Sequence, residues 1–174
     1  MVSKKILSLI ESKQQGVIVD LGGGNNSHPE AINLDILDLP GVDIVQDLEE
    51  FPWPLPDDCA NLVIASHLVE HINPAKGIFI KFMNEVWRIL KPGGKMMIAC
   101  PYGSSSGQIQ DPTHCNPCNE VTWAYFDPLE PNTDGLLWRI YKPKPWRIEC
   151  NVWDTTANME VVLIKRNLNK KYEK

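Results

Sequence analysis

Two stretches of the sequence carry residues whose types and spacing could do chemistry. The first is Val19-Asp20-Leu21-Gly22-Gly23-Gly24-Asn25-Asn26, a glycine cluster directly after a short apolar run. Glycine at that place lets the main chain approach a ligand closely, because no Cβ intrudes. Asp35, about fifteen residues beyond Asp20, closes the next apolar run, where a strand-end carboxylate can hold a ribose diol. Asp20, Asp35 and Asp47 are therefore expected to line one mouth. The loop departs from the dinucleotide fingerprint: a third glycine is missing and Pro29 follows shortly. About ten residues separate the glycines from the next strand, too few for a full crossover helix. A pyrophosphate rests on the N-terminus of that helix, so nicotinamide and flavin cofactors are disfavoured.

The second stretch is Asp111-Pro112-Thr113-His114-Cys115-Asn116-Pro117-Cys118. Three readings of it stand side by side. His114, Cys115 and Cys118 offer soft metal ligands, but a structural zinc wants four and no second Cys-x-x-Cys or His pair completes the set, so no metal is expected. His114, held by Asp111, could act as a general base on a substrate loop. Or the histidine simply makes a local hydrogen bond. His67 and His71, past the end of a strand, could cap the following turn; His71 reads as structural. Trp138, Arg139, Tyr141, Lys142, Lys144, Trp146 and Arg147 mix aromatics with bases, as a nucleic-acid platform would. In an acidic chain they read better as a solvated strand pair with core tryptophans.

The elements that must position these residues are legible as alternating strands and connectors. Residues 15–21, 31–36, 42–47 and 61–66 are short apolar runs of the kind buried parallel strands show. Asn73-Pro74 predicts a helix start. Ile78, Phe79, Phe82, Met83, Val86, Ile89 and Leu90 then recur at helical spacing up to Lys91-Pro92-Gly93-Gly94. A fifth strand follows over 95–100. Residues 101–145 read as a long irregular excursion, which in a small domain points to function. Strands over 146–153 and 158–165 suggest an antiparallel hairpin, and the polar tail 166–174 is expected to fray. The sum is an α/β fold: a Rossmann-like, mostly parallel sheet with a shortened first crossover and a C-terminal antiparallel hairpin, in one domain over 1–174.

Bulk properties bound the partners. The chain has 174 residues, enough for one buried core, and a net charge of −5. Between Lys13 and Lys76 there is no Lys or Arg, while eleven of its 22 acids fall there. That half disfavours phosphate-rich ligands and suits one bearing positive charge. The leading apolar run is too short for a signal peptide or a membrane span. Five cysteines, an odd number, argue against a disulfide framework and for a reducing cytoplasm.

With these residues in view, a resemblance becomes plain. Val19-Asp20-Leu21-Gly22-Gly23-Gly24 resembles the first motif of class I S-adenosylmethionine-dependent methyltransferases, and Asn33-Leu34-Asp35 the acidic end of their second strand. Gln46-Asp47-Leu48 is similar to their adenine-contacting segment. Leu62–His71 is similar to the fourth-strand signature of the small-molecule branch, and Glu85–Lys95 to the helix, turn and strand after it. The match runs over residues 17–102, and the short first crossover resembles minimal members of the family. The resemblance implies S-adenosylmethionine as cofactor. It implies that Gly22 and Gly24 hold the methionine part and that Asp20 orients that loop. Asp35 would take the ribose hydroxyls, Asp47 and the Leu48 backbone the adenine edge, and Ser66 and His67 would flank the sulfonium. It implies methyl transfer to a small-molecule, sugar or carrier-linked acceptor, with His114 as catalytic base. Asp-Pro-Thr-His itself resembles a segment of small family members. Base methyltransferases carry an Asp/Asn-Pro-Pro-aromatic run where this chain has Ser66-His67-Leu68, so nucleic acid is disfavoured as acceptor. Cys100-Pro101 resembles an RNA-cytosine nucleophile only faintly. The missing crossover helix keeps a second class in view: a catalytically silent scaffold or regulator on the same fold.

Overall fold

Short β-branched runs bounded by glycine bury both faces inside a parallel sheet, and the first two runs do so here. In the computed structural model, which describes residues 2–13 and 16–166, β1 (Ile18–Leu21), β2 (Ile32–Asp35), β3 (Ile44–Val45), β4 (Ala60–Ser66) and β5 (Leu90–Pro101) are all parallel. β6 (Trp146–Trp153) and β7 (Asn158–Lys165) form the antiparallel hairpin, and β7 inserts between β5 and β6. The order is β3-β2-β1-β4-β5-β7-β6. Neighbours of β1 therefore lead away in opposite directions, and the crevice at the switch point lies at its carboxyl end.

The connections are unequal. β1 passes to β2 through one 3-10 turn, Gly24–Asn26, so the shortened crossover is present. β3 is two residues long rather than the six expected. The flanking carboxylates turn back onto the main chain there: Asp43 accepts from the Asn33 N–H at 3.0 Å and Asp47 from the Glu49 N–H at 2.8 Å. The long helix α2 begins later than the Asn-Pro signal suggested. Asn73 accepts from Ala75 N–H and starts a 3-10 turn (Ala75–Gly77), while Lys76 and Gly77 take positive φ before α2 (Ile78–Ile89) begins. Lys91–Gly94 bulges out between β4 pairings that resume at Lys95, so β5 starts five residues earlier than the run 95–100 implied.

Phe79, Phe82, Met83, Val86 and Ile89 of α2 share one buried cluster with Val19, Leu21, Val63, Met96 and Ile98 of the sheet. Ile6, Leu9 and Ile10 of α1 (Lys4–Glu11) pack at its edge. The excursion over 101–145 is irregular, with only α3 (Ser106–Gln110), α4 (Trp138–Tyr141) and a 3-10 turn. It is nevertheless docked: Trp123 and Phe126 meet Phe79 edge to face, at 6.3 and 5.8 Å between ring centroids. Trp146 is fully buried, which makes it a core residue and not part of a platform. The tail expected to fray lies, beyond Arg166, outside the described residues, as does Gln15 of the first run.

A buried polar clamp ties α2 to the chain before β4. Arg88 donates to both oxygens of Glu85 (2.9 and 2.6 Å), to Asp57 Oδ1 (2.6 Å) and to the Leu55 carbonyl (2.8 Å). Glu85 in turn accepts from Trp53 N–H at 2.7 Å. Removing the guanidinium leaves a buried carboxylate without its charge partner, so Arg88→Ala is expected to lose about 3 kcal/mol in urea unfolding. Arg88→Lys recovers only part, because ammonium cannot make the two-pronged contact. A loss below about 0.5 kcal/mol, the range of ordinary surface changes, would refute the clamp.

Candidate functional site

The glycine loop is held by its neighbours' side chains where a crossover helix would otherwise hold it. Asp35 Oδ2 accepts from Gly24 N–H (3.0 Å), Asn33 Nδ2 donates to the Gly24 carbonyl (2.9 Å), and Asp20 Oδ2 accepts from His28 N–H (2.8 Å). Burial pushes the Asp20 carboxyl above the usual carboxylate range, offset in part by that amide. Gly22 adopts φ +67°, and a Cβ there would come within 2.9 Å of Leu68 Cδ1. At Gly23 a Cβ would meet Ser27 at 2.6 Å and Asn33 Oδ1 at 2.7 Å, so neither Gly22 nor Gly23 has room for a side chain.

Beside this loop lies a cavity of about 410 Å³ lined by Gly22, Asp35, Asp47, Leu48, His67 and His71 together with Ile36, Glu49, Leu68 and Ile72. Five of the eight residues expected to bind a cofactor thus border one space: Gly22, Asp35, Asp47, Leu48 and His67. Asp20, Gly24 and Ser66 do not border it. Asp20 and Gly24 belong to the hydrogen bonds that shape the loop, and Ser66 is an exposed strand end. Asp35, expected at the mouth, is only 8% exposed. Its Oδ1 accepts from Leu37 N–H at 2.9 Å as Oδ2 does from Gly24, and each oxygen keeps a second lone pair. Among the described residues no acceptor meets the Leu48 N–H. His67 has φ +51°, a strained conformation for a side-chain-bearing residue, with its N–H on the Ala99 carbonyl at 2.7 Å.

The second loaded stretch reaches the rim of this cavity. Cys115 and Asn116 N–H groups both donate to the Glu70 carbonyl, at 2.9 and 3.0 Å, which brings His114 against His71 with ring centroids 4.6 Å apart. The expected Asp111–His114 hydrogen bond is not made. Asp111 Oδ2 is 3.8 Å from His114 Nε2, and Oδ1 accepts instead from the hydroxyl (2.7 Å) and N–H (2.8 Å) of Thr113. Those bonds lower the Asp111 carboxyl below its ordinary range. His114 is held by its Nδ1 on the Gln108 carbonyl at 3.2 Å. His114, Cys115 and Cys118 do not converge: Cys115 points its thiol at the His71 carbonyl, and Cys118 is buried beside Asn116. The neighbouring Cys118 thiol, and then burial, push the Cys100 thiol far up, which suits an inert core cysteine and no nucleophile.

Comparison with known proteins fits this geometry. Residues 20–98 match the sequence profile of a methyltransferase domain. A search of curated proteins finds no match. Many solved structures are similar in fold. A S-adenosylmethionine-dependent methyltransferase from Archaeoglobus fulgidus superposes with a TM-score of 0.58 at 16% identity, over 94% of this chain and 95% of that one. One from Aquifex aeolicus gives 0.55 at 15%, over 94% and 89%. A 16S rRNA adenine-N1-methyltransferase from Catenulisporales acidiphilia gives 0.59 at 13%, over 97% and 94%. The chain thus carries a methyltransferase-domain match over residues 20–98 and shares its fold with S-adenosylmethionine-dependent methyltransferases. The matched domain is one of methyl transfer, and these similar structures are of proteins that depend on S-adenosylmethionine.

The cavity fits that cofactor. Its volume falls in the range of roughly 300–1,000 Å³ that small-molecule sites occupy. Its lining has three carboxylates (Asp35, Asp47 and Glu49) and no Lys or Arg, which suits a ligand carrying sulfonium and ammonium. The Leu48 N–H is free to donate. The sequence missed Glu49, Ile36, Leu68 and Ile72 as lining residues and Asn33 as a loop tether. Only their position relative to the glycine loop reveals them, since leucine, isoleucine and asparagine carry no motif of their own.

Two substitutions test this site. Asp35→Ala removes the acceptor of the Gly24 and Leu37 amides and the carboxylate expected to take the ribose hydroxyls. S-Adenosylmethionine binding should weaken by about tenfold to several hundredfold in calorimetry, at 1.5–3 kcal/mol per charge-assisted bond. Stability should also fall by roughly 1–3 kcal/mol, because buried amides lose their partner. Asp38→Ala, an exposed change, should alter neither. Equal affinity for wild type and Asp35→Ala would remove this carboxylate from the site.

Proposed function

We propose that this enzyme methylates a small-molecule, sugar or carrier-linked acceptor, and that Asp20, Gly22, Gly24, Asp35, Asp47, Leu48, Ser66 and His67 form its cofactor side. The observation that carries this reading is the charge of the cavity. Three carboxylates and no cation line it, so a polyphosphate backbone would be repelled at the reaction site. Two basic residues of the second half are already paired: Lys165 is buried on Asp58 and the Leu90 carbonyl, and Lys95 is paired with Glu149.

When bound, S-adenosylmethionine supplies an activated methyl group, and the protein's task is placement. Asp35 and Asp47 would hold the nucleoside from two sides, and Gly22 admits the main chain to the methionine part. Ile36, Leu68 and Ile72 exclude water from the cavity wall. The acceptor would enter past His71, behind which His114 stands as the candidate base, with Nδ1 on the Gln108 carbonyl fixing its ring. This geometry also argues against a silent scaffold, because no side chain among the described residues fills the cavity.

Product formation decides the matter. The chain is expected to bind S-adenosylmethionine and its demethylated product in calorimetry and to release the latter when offered hydroxylated small molecules or nucleotide-activated sugars. Structured RNA and duplex DNA should give no turnover. Turnover on nucleic acid alone would overturn the acceptor reading, and no saturable cofactor binding by folded protein would overturn the cofactor site.

A further inference from the structure

The one buried carboxylate of this region that the cofactor site does not use is Glu70. Its side chain is 1% exposed, and neither oxygen accepts a hydrogen bond. His67 stands beside it, with Nδ1 3.3 Å from Oε1. A carboxylate taken out of water without donors is strongly disfavoured, so a positive charge is the natural partner for it. Two further donors converge on it: one ligand atom from each of Glu70, His71 and His114 lies within 4.8 Å of the others. Among the described residues this is the one such group.

The hydrogen bonds around the two imidazoles leave the same ring nitrogen bare on each. The Thr113 hydroxyl donates its proton to Asp111, so it can only accept from His71 Nδ1–H at 3.1 Å. The Gln108 carbonyl can only accept from His114 Nδ1–H. Both Nε2 atoms therefore present lone pairs. A ring N–H anchored on a carbonyl or a carboxylate-bound hydroxyl is how metal-ligating histidines are fixed. The main chain fixes the register too, since the Glu70 carbonyl receives the two amides that follow His114.

We propose that Glu70, His71 and His114 form a binding site for a divalent first-row transition metal ion at the rim of the cofactor cavity. Two imidazoles and one carboxylate are a donor set for Zn²⁺ and its neighbours in the series, and three protein ligands leave a position for water or an acceptor oxygen. At metal–ligand distances of about 2.0–2.2 Å the donors need to close by roughly an ångström, within reach of side-chain rotation at the exposed His71. The site deepens the methyl-transfer reading by placing a cation where the acceptor enters. It also changes the part of His114, because a lone pair given to an ion is not available to a proton.

Metal binding is measured without any acceptor, so its outcome is separate from that of the activity assay. Chelator-treated protein is titrated with Zn²⁺ in a calorimeter and with Co²⁺ in a spectrophotometer. One ion per chain is expected, with Co²⁺ giving visible absorption bands and no intense near-ultraviolet thiolate band. His71→Ala, at an exposed position where folding survives, and Glu70→Gln should each weaken binding at least tenfold, while Cys115→Ser should bind as wild type. Absence of binding to folded wild type overturns the proposal. So does binding that His71→Ala leaves unchanged, or a thiolate band that assigns the ion to cysteine.

Discussion

The cofactor side of this molecule depends on one arrangement: two side chains of β2 reach across to hold the glycine loop that follows β1. In larger relatives of the nucleotide-binding sheet a crossover helix covers that loop and fixes its peptides. Here only a 3-10 turn joins the strands, so Asp35 takes the Gly24 N–H while Asn33 takes its carbonyl. Because β1 and β2 pair in parallel, with Asp20 opposite Asn33, the two tethers arrive at the height of the loop. The same constraint explains the crowding at Gly23, where loop, Asp20 and Asn33 leave no space for a methyl group. The carboxylate proposed to take the nucleoside is thereby also part of the scaffold, so a change at Asp35 acts on stability as well as on any ligand.

The opposite side of the cavity is organised from much further away in the sequence. The turn after β4 carries His67, Glu70 and His71, and the excursion after β5 lays His114 onto it through main-chain bonds to the Glu70 carbonyl. The excursion itself is anchored by Trp123 and Phe126 on Phe79 of α2 and by the Trp146 N–H on the Phe126 carbonyl. Loops of this length stay ordered only when aromatic contacts and buried hydrogen bonds offset their conformational entropy, and here both are present. The helix that receives them is in turn fixed by Arg88 and Glu85 to the segment before β4. Core packing, clamp and site are one mechanical unit.

Much of this was legible in the residues alone. Val17–Leu21, Ile32–Asp35 and Leu62–Ser66 announce buried parallel strands, because β-branched side chains on both faces suit no other environment. The hairpin strands Trp146–Trp153 and Asn158–Lys165 were marked by apolar runs with a polar turn between them, and their bounds agree with the structure. The glycine loop and its acids were readable because a tight turn and a strand-end carboxylate are local properties of the chain. So was the short crossover, which is a matter of counting residues.

The tertiary structure alone decided what depends on residues far apart in the chain. Nothing near Glu70 in sequence shows that it is buried without a donor, or that His114, forty-four residues on, is laid beside His71. Asp111 and His114 stand at a spacing that suggests a pair, yet Thr113 takes the carboxylate and a carbonyl takes the ring. Arg88, one basic residue on a helix by its sequence, becomes a clamp only once β4's approach lies beneath it. Spacing along the chain fixes local backbone geometry and the face a side chain takes. Which buried group meets which partner is set by the packing of α2 and the excursion onto the sheet, a long-range outcome that no local pattern encodes.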